Sequence, residues 1–294
     1  MYSVEFDDFA KIEGGWDIAF VGSHNDERDI KTREFLASRV EIVLIVDYDQ
    51  EEMSLLLNSD EEIQIHELSS WLGFCKNKKV VLDATSMSVA ELYLLSKHLH
   101  NASVLDFEII YVEPQKYTKT ENNFTLSDSG IGFAGAGIPS LTVPHEYEEN
   151  KHIVFLLGYE GDRFADAMEV MQLEPDQISI FFGVPSYQIN WEKNSYKGNL
   201  KVILDNSLND RFVFCGANNP AAVNREVREI QKFHSKSQLY ITPIGTKPQA
   251  IGCIPILCDS DLEFPIGVLW DHPKRKQGRT SGVSKILITK KLFN

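Results

Sequence analysis

Short hydrophobic runs alternate with amphipathic stretches along the chain. The runs lie at residues 17–22, 41–47, 80–83, 107–112, 152–158, 178–183, 211–215, 239–243 and 266–270. Stretches with helical spacing lie between them at residues 27–39, 88–99, 163–171, 221–233 and 248–258. Continuous hydrophobic runs are typical of strands covered on both faces, and strands that alternate with helices indicate βαβ units. The pattern therefore predicts an α/β protein with mainly parallel sheets.

The order of these patterns repeats once along the chain. The three pairs of matching blocks are residues 20–36 with 156–171, residues 82–95 with 242–257, and residues 109–117 with 267–276. Because all three occur in the same order, they indicate a duplication. We therefore expect two tandem Rossmann-like halves, residues 1–121 and residues 151–294. A linker rich in glycine and proline, residues 122–150, separates them.

The composition is that of a folded protein without a membrane-spanning segment. Of the 294 residues, 43% are hydrophobic and 24% are charged, which is ordinary for globular domains. No hydrophobic run reaches the length of a bilayer span, and the acidic N-terminus has no hydrophobic signal-peptide region. We therefore expect a cytoplasmic protein without a membrane partner.

The charge and the cysteines narrow the ligand classes. A formal net charge of −14 disfavours non-specific binding to nucleic acids, because an acidic surface repels the phosphate backbone. Residues 272–291 nevertheless contain lysines and arginines but no acid, and such a cluster either meets a compact anion or forms a solvated edge. The scattered cysteines lack the CxxC spacing of a metal site. No GxGxxG motif of a dinucleotide-binding site follows a predicted strand. The sequence therefore leaves the cofactor unknown.

The strongest binding motif is the segment Pro243–Pro248, which follows a predicted strand. Gly245 permits an unusual backbone turn, Thr246 can cap the following helix, and Pro248 suits its first turn. The helix N-terminus and the ammonium group of Lys247 together form an anion site, beyond a strand end where open parallel sheets bind ligands. The alternative interpretation is a capped βα turn with a solvated lysine.

This strand, Gly-Thr-Lys loop and helix resemble the ligand loop of CARF domains, which are Rossmann-like sensors of cyclic oligonucleotides in CRISPR and related antiviral systems. CARF domains pair as dimers, and SAVED domains resemble two of them fused in one chain, which two tandem halves would match. The resemblance covers the loop and the general architecture. It implies a nucleotide ligand at Gly245, Thr246 and Lys247.

The equivalent loop of the first half contains Asp83 and Thr85 and lacks both the glycine and the lysine. Asp83 would repel a phosphate, but it can accept a hydrogen bond from a ribose or a base. Arg28 and Arg163 stand at the start of a helix in the two halves. Each could bind a phosphate with its planar guanidinium or pair with neighbouring acids.

Other polar candidates follow the late strands of the second half. Asn218 precedes a predicted helix, where its side chain suits either a base or ribose or a helix cap. His272 closes the last strand of this half and is followed by Arg275 and Arg279. These two arginines, together with Lys247, are predicted to hold a phosphate.

Three functions are compatible with these residues. The first is a module that binds or senses a nucleotide, with cyclic oligonucleotides among the ligands, as a subunit of a prokaryotic antiviral defence system. The second is an enzyme that acts on a nucleotide or another phosphorylated small molecule, with His272 or Asp83 as the proton carrier. The third is a structural subunit with degenerate ligand sites that binds partner proteins. No hydrolase, metalloprotease, Walker or kinase motif is present, so catalysis stays unassigned.

Overall fold

The computed structural model describes residues 1–23, 26–118, 124, 126–128, 132–133, 137–143 and 150–293. These residues form a mixed α/β structure with seven α-helices, one parallel sheet and one larger mixed sheet. The chain divides into two compact units, residues 1–118 with 277–294 and residues 119–276. Much of the expected linker at 122–150, including Gly130, Gly135 and Pro144, lies outside the described residues. No helix within the described ranges is both long enough and apolar enough to cross a bilayer.

The first unit is built on an eight-stranded mixed sheet in the order β1-β15-β7-β6-β2-β3-β4-β5. Its elements are β1 Tyr2–Phe6, β2 Ile18–Gly22, α1 Glu27–Ala37, β3 Ile42–Asp49, β4 Ser54–Leu57, β5 Glu61–Gln64, α2 Leu68–Trp71, β6 Val80–Asp83, α3 Val89–Asn101, β7 Glu108–Tyr117 and β15 Thr280–Lys290. The four central strands β7, β6, β2 and β3 are parallel, and the flanking strands pair antiparallel. The order of the parallel strands reverses between β2 and β6.

Alternating side chains of β2 bury both faces of this sheet. Ala19 and Val21 pack in one cluster with Leu36 of α1. Phe20 points to the other face, where its ring contacts Trp71 of α2 edge to face. Burial on both faces explains why β2 is a continuous hydrophobic run in the sequence.

The second unit contains a five-stranded sheet that is parallel throughout, in the order β11-β10-β9-β12-β13. Its elements are β8 Ser127–Asp128, β9 Lys151–Leu156, α4 Gly161–Met171, β10 Ile178–Gly183, α5 Glu192–Asp205, β11 Phe212–Cys215, α6 Pro220–Phe233, β12 Gln238–Thr242, α7 Lys247–Leu257, β13 Gly267–Val268 and β14 Lys274–Arg275. Counted along the chain, the five parallel strands follow the order 3-2-1-4-5. Helix α4 packs against α5, and α6 packs against α7, as expected where right-handed crossovers place helices on both faces of a parallel sheet. Strands β8 and β14 form a separate antiparallel pair.

Two features differ from the sequence prediction. Mainly parallel sheets were predicted for both halves, whereas the first unit has a mixed sheet. Residues 277–294 were assigned to the second half, but β15 lies between β1 and β7 in the first unit. The strands with which β15 pairs lie far away in the sequence. Two lysines of β15 form ion pairs with acids on these strands, with Lys285 2.7 Å from Glu5 and Lys290 2.9 Å from Glu108.

Candidate functional site

The parallel sheet of the second unit reverses its strand order between β9 and β12, so the loops after these strands lie side by side. A Cβ atom on Gly158, after β9, would lie 2.5 Å from the carbonyl oxygen of Ile244, after β12. A Cβ on Gly245 would lie 2.9 Å and 3.0 Å from the carbonyl oxygens of Leu156 and Leu157. The two loops therefore meet backbone to backbone, and both positions require glycine. Open α/β sheets bind ligands at such a reversal.

Helix α7 begins at this reversal with a capping box. The Thr246 side chain accepts a hydrogen bond from the N–H of Gln249 at 3.4 Å, and Oε1 of Gln249 accepts one from the N–H of Thr246 at 3.0 Å. The Thr246 hydroxyl donates to the carbonyl oxygen of Ala217 at 2.7 Å. Pro248 lies in the first turn. The prediction that Thr246 caps this helix is confirmed, and the cap also fixes the loop after β11.

The helices that begin beside the two strand reversals differ in the charge of their first turns. Helix α1 carries Glu27 and Asp29 there, α3 carries Glu91, and α4 carries Asp162. Helix α7 has no acid in its first turn and starts with the partly exposed Lys247. Because a helix N-terminus carries partial positive charge, an anion is favoured at α7 over the other three helices.

Three buried polar atoms around these loops have no hydrogen-bond partner within the described part of the chain. They are Nε2 of Gln249, Oγ1 of Thr242 and Oδ1 of Asn199, and all three residues are fully buried. The Gln249 amide lies at the start of α7, because its oxygen bonds the N-cap. Asn199 donates to the carbonyl oxygen of Gly158 at 2.9 Å. Buried polar groups are normally paired, so these three atoms are exceptions within the described residues.

Arg163 forms an ion pair, one of the two arrangements left open by the sequence. Its guanidinium donates to both carboxylate oxygens of Asp271 at 2.7 Å and 2.6 Å, and lies over Trp270, 5.1 Å from the ring centroid. A second acid, Glu160, has its Oε2 3.7 Å from Nη1 of Arg163. Oε1 of Glu160 accepts a hydrogen bond from the N–H of Ser127 at 2.8 Å. This network holds the loop after β9 to the segment after β13. Arg163 therefore positions the loop.

The other basic candidates lie in different units. Arg275 belongs to β14 and pairs in register with Ser127 of β8 in the second unit. Arg279 belongs to the first unit, where its guanidinium lies 3.7 Å from Asp26, the N-cap of α1. His272 lies between β13 and β14, is partly exposed and has a left-handed backbone with φ of 47°. The charge of Arg279 is thus matched by an acid of its own unit.

The corresponding edge of the first unit is closed by its own side chains. Asp83 is fully buried, and its carboxylate accepts hydrogen bonds from the N–H of Thr85 at 2.9 Å and the hydroxyl of Ser86 at 2.6 Å. The hydroxyls of Thr85 and Ser86 accept from the N–H groups of Val112 and Gly22. Burial raises the pKa of Asp83. These residues satisfy one another's hydrogen bonds, and Asp83 has no exposed atom. The expected contact of Asp83 with a ribose or base is therefore not supported.

Arg28 has a structural role in the first unit. It is almost fully buried and donates to the carbonyl oxygen of Val112 and, at 3.2 Å, to the hydroxyl of Thr280. Its guanidinium lies 6.0 Å from the ring centroid of Tyr111. Arg28 therefore joins α1 to β7 and β15, and its burial leaves almost none of the guanidinium accessible to a phosphate.

The loop after β11 caps the next helix. Asn219 is the N-cap of α6, and its Oδ1 accepts a hydrogen bond from the N–H of Ala222 at 3.0 Å. Asn218 precedes this cap and is partly exposed. Burial raises the pKa of the neighbouring Cys215 thiol to about 11. A thiol of this kind is protonated at neutral pH, so Cys215 is not an activated nucleophile.

The sequence patterns do not single out Thr242, Asn199 or Gln249. Gln249 was recoverable, because a glutamine three residues after Thr246 has the spacing of a capping box. The other two offer no comparable signal, since only the packing of α5 against Gly158 and the burial of the end of β12 make them part of this edge. Comparison of the chain with protein families finds no matching family model, and comparison with curated proteins finds no similar sequence.

Proposed function

We propose that the second unit binds a phosphate group of a nucleotide at the N-terminus of α7, with Gly245, Thr246 and Lys247 as its contacts. The observation that carries this proposal is the start of α7 at the strand reversal, with Lys247 and without an acid in its first turn. The capping box uses the N–H groups of Thr246 and Gln249, so the partial positive charge of the helix N-terminus and the ammonium group of Lys247 act together on the anion. The unpaired amide nitrogen of Gln249 supports a further polar contact beside it.

The proposal includes two Rossmann-like halves. The order 3-2-1-4-5 in the second unit is that of doubly wound nucleotide-binding sheets. The parallel strands of the first unit follow the order 2-1-3-4, and the second unit has this same order when β11 is left out. The three repeated sequence blocks then fall on equivalent strands. This supports a duplication after which only the second copy carries the anion site.

Binding or sensing suits this site better than catalysis. The side chains at the start of α7 are those of Thr246, Lys247 and Gln249, a hydroxyl, an ammonium group and an amide that can contact an anion, with no carboxylate, imidazole or thiol among them. Asp83, a candidate proton carrier, is enclosed in the first unit. Together with the resemblance to CARF and SAVED domains, this supports a cytoplasmic sensor of nucleotides, including cyclic oligonucleotides, as a subunit of a prokaryotic antiviral defence system.

Calorimetric titration with a panel of linear and cyclic oligonucleotides tests the proposal. At least one member should bind, and Lys247→Ala should weaken its affinity about 10- to 100-fold, because a charge-assisted contact is lost. The matched control is Lys236→Ala, an exposed lysine just before the opposite end of β12, which should leave the affinity unchanged. Absence of binding to the whole panel by folded protein would reject the proposal, as would equal effects of the two substitutions.

A further inference from the structure

Strand β11 is an edge of the parallel sheet whose backbone is open on one side. In the described sheet it pairs only with β10. The carbonyl oxygen of Arg211 accepts a hydrogen bond from the N–H of Ile180 at 2.8 Å, and the carbonyl of Cys215 also bonds on the β10 side. Backbone groups alternate in direction along a strand, so the N–H and C=O groups of Phe212 and Phe214 point away from β10. They are the groups with which another strand would pair.

Aromatic side chains cover one face of this edge and reach solvent. Phe214 is 61% exposed, and Tyr196 of α5 is 42% exposed. The ring centroid of Phe212 lies 6.3 Å from each of these rings, and Phe182 of β10 lies 6.0 Å from Tyr196. The four rings form one continuous cluster. Exposed aromatic clusters of this kind mark interaction surfaces.

The helix that carries Tyr196 also carries a row of three lysines. Lys193, Lys197 and Lys201 are exposed and follow one another at four-residue spacing along α5. Residues three and four apart share a helix face, so the three lysines lie along one face of α5, and Tyr196 is the neighbour of Lys193 at three-residue spacing. Within the described residues these lysines form no ion pair. They give a positive strip about 12 Å long on a molecule of net charge −14.

We propose that β11 accepts an extended acidic segment of a partner protein as an added strand. The segment's backbone pairs with Phe212 and Phe214, its carboxylates face the lysine row, and its apolar side chains pack on Phe214 and Tyr196. Open backbone N–H and C=O groups are matched by a polypeptide strand and not by a nucleic acid. The lysines also repel the same edge of a second copy. This surface is independent of the anion site at α7.

Fluorescence anisotropy with a short labelled peptide that alternates glutamate with phenylalanine and valine tests the inference. The wild-type chain should bind this peptide, and a version with lysine in place of glutamate should not bind. The double variant Lys197→Ala/Lys201→Ala should weaken binding about tenfold. The matched double variant Lys232→Ala/Lys236→Ala, which removes equal charge from α6 and the turn after it, should not change the affinity.

A proline substitution separates strand addition from simple adhesion. Phe214→Pro removes an N–H that points away from β10, so the sheet keeps its pairing while the new strand loses a bond. Binding should be lost in Phe214→Pro and only weakened in Phe214→Ala, with circular dichroism equal to wild type in both. Equal binding by these two variants, no peptide binding by wild type, preferential binding of labelled oligothymidylate, or a dimer that Phe214→Pro dissociates would each overturn the inference.

Discussion

At the scale of single residues, the site depends on positions where one residue type fits. Gly245 lies against two carbonyl oxygens, Thr246 closes the capping box, and Lys247 supplies the charge. The cap at Thr246 could be predicted from the sequence, because it is a local feature. Gly245 was expected to permit an unusual backbone turn, but its φ is not positive, and the glycine is needed because the loop after β9 lies against it. The environment of Asp83 could not be predicted, because its enclosure depends on Ser86 and on the neighbouring strand β7.

Substitution of Gly245 tests the close approach of the two loops. Gly245→Ala should lower the free energy of unfolding by about 1–3 kcal/mol, because the added Cβ meets backbone carbonyls that cannot move freely. Gly73→Ala, at a glycine with no atom within 4 Å of an added Cβ, is the control and should be close to neutral. Chemical denaturation measures both. Equal stability of the two variants would contradict the described packing.

Because His152 is buried, the folded protein should lose stability at acidic pH. Burial lowers the pKa of His152 from 6.5 to about 4, and its ring stacks 3.7 Å from that of His234. The unfolded chain takes up a proton below about pH 6.5, but the folded imidazole stays neutral until about pH 4, so stability falls as the pH drops through this window. His152→Gln should remove about 2 kcal/mol of this pH dependence. The same change at the exposed His66 should not, and identical pH profiles for both variants would refute the prediction.

At the scale of elements, the sequence predicted the strands and helices whose own residues form a clear hydrophobic pattern. Strands β6 and β10 have the predicted bounds, and α6 begins one residue earlier than expected. Helix α5 was missed because its buried positions include Ser195 and Asn199, so the hydrophobic period is weak. Both side chains donate to the carbonyl oxygen of Gly158. The polar inner face of α5 therefore fixes the loop beside the proposed anion site.

The Arg163 network should govern the position of this loop. Arg163→Ala should destabilise the second unit by about 3 kcal/mol, because it leaves the nearly buried carboxylate of Asp271 without its partner. Arg225→Ala is the control, since the ion pair of Arg225 with Glu226 is exposed and should contribute less than about 1 kcal/mol. Thermal unfolding of the two variants gives the comparison. A small effect of Arg163→Ala would show that the loop does not depend on the ion pair.

At the scale of the whole molecule, the chain returns to its first unit after completing the second. Strand β15 pairs with β7 and β1, which lie far away in sequence, and a basic tail gives no local sign of this pairing. The division of the chain into units therefore could not be fully predicted. Sequence patterns locate strands but do not identify distant partners.

Removal of residues 277–294 tests the importance of this return. The shortened chain should lose the cooperative unfolding of the first unit, because β1 is left without its neighbour in the sheet. Limited proteolysis should then cut residues 1–118 first. The double variant Lys285→Ala/Lys290→Ala, which keeps β15 but removes one exposed and one partly buried ion pair, should be destabilised much less than the shortened chain. Unchanged protease resistance of the shortened chain would contradict this account.

Hydrogen–deuterium exchange with the tightest-binding nucleotide of the panel tests the anion site most directly. Saturating nucleotide should slow exchange of the backbone amides at residues 158–162 and 245–250 and leave those at residues 84–88 unchanged. Protection at residues 84–88 alone, or no change at residues 245–250, would show that the nucleotide is not bound at the start of α7.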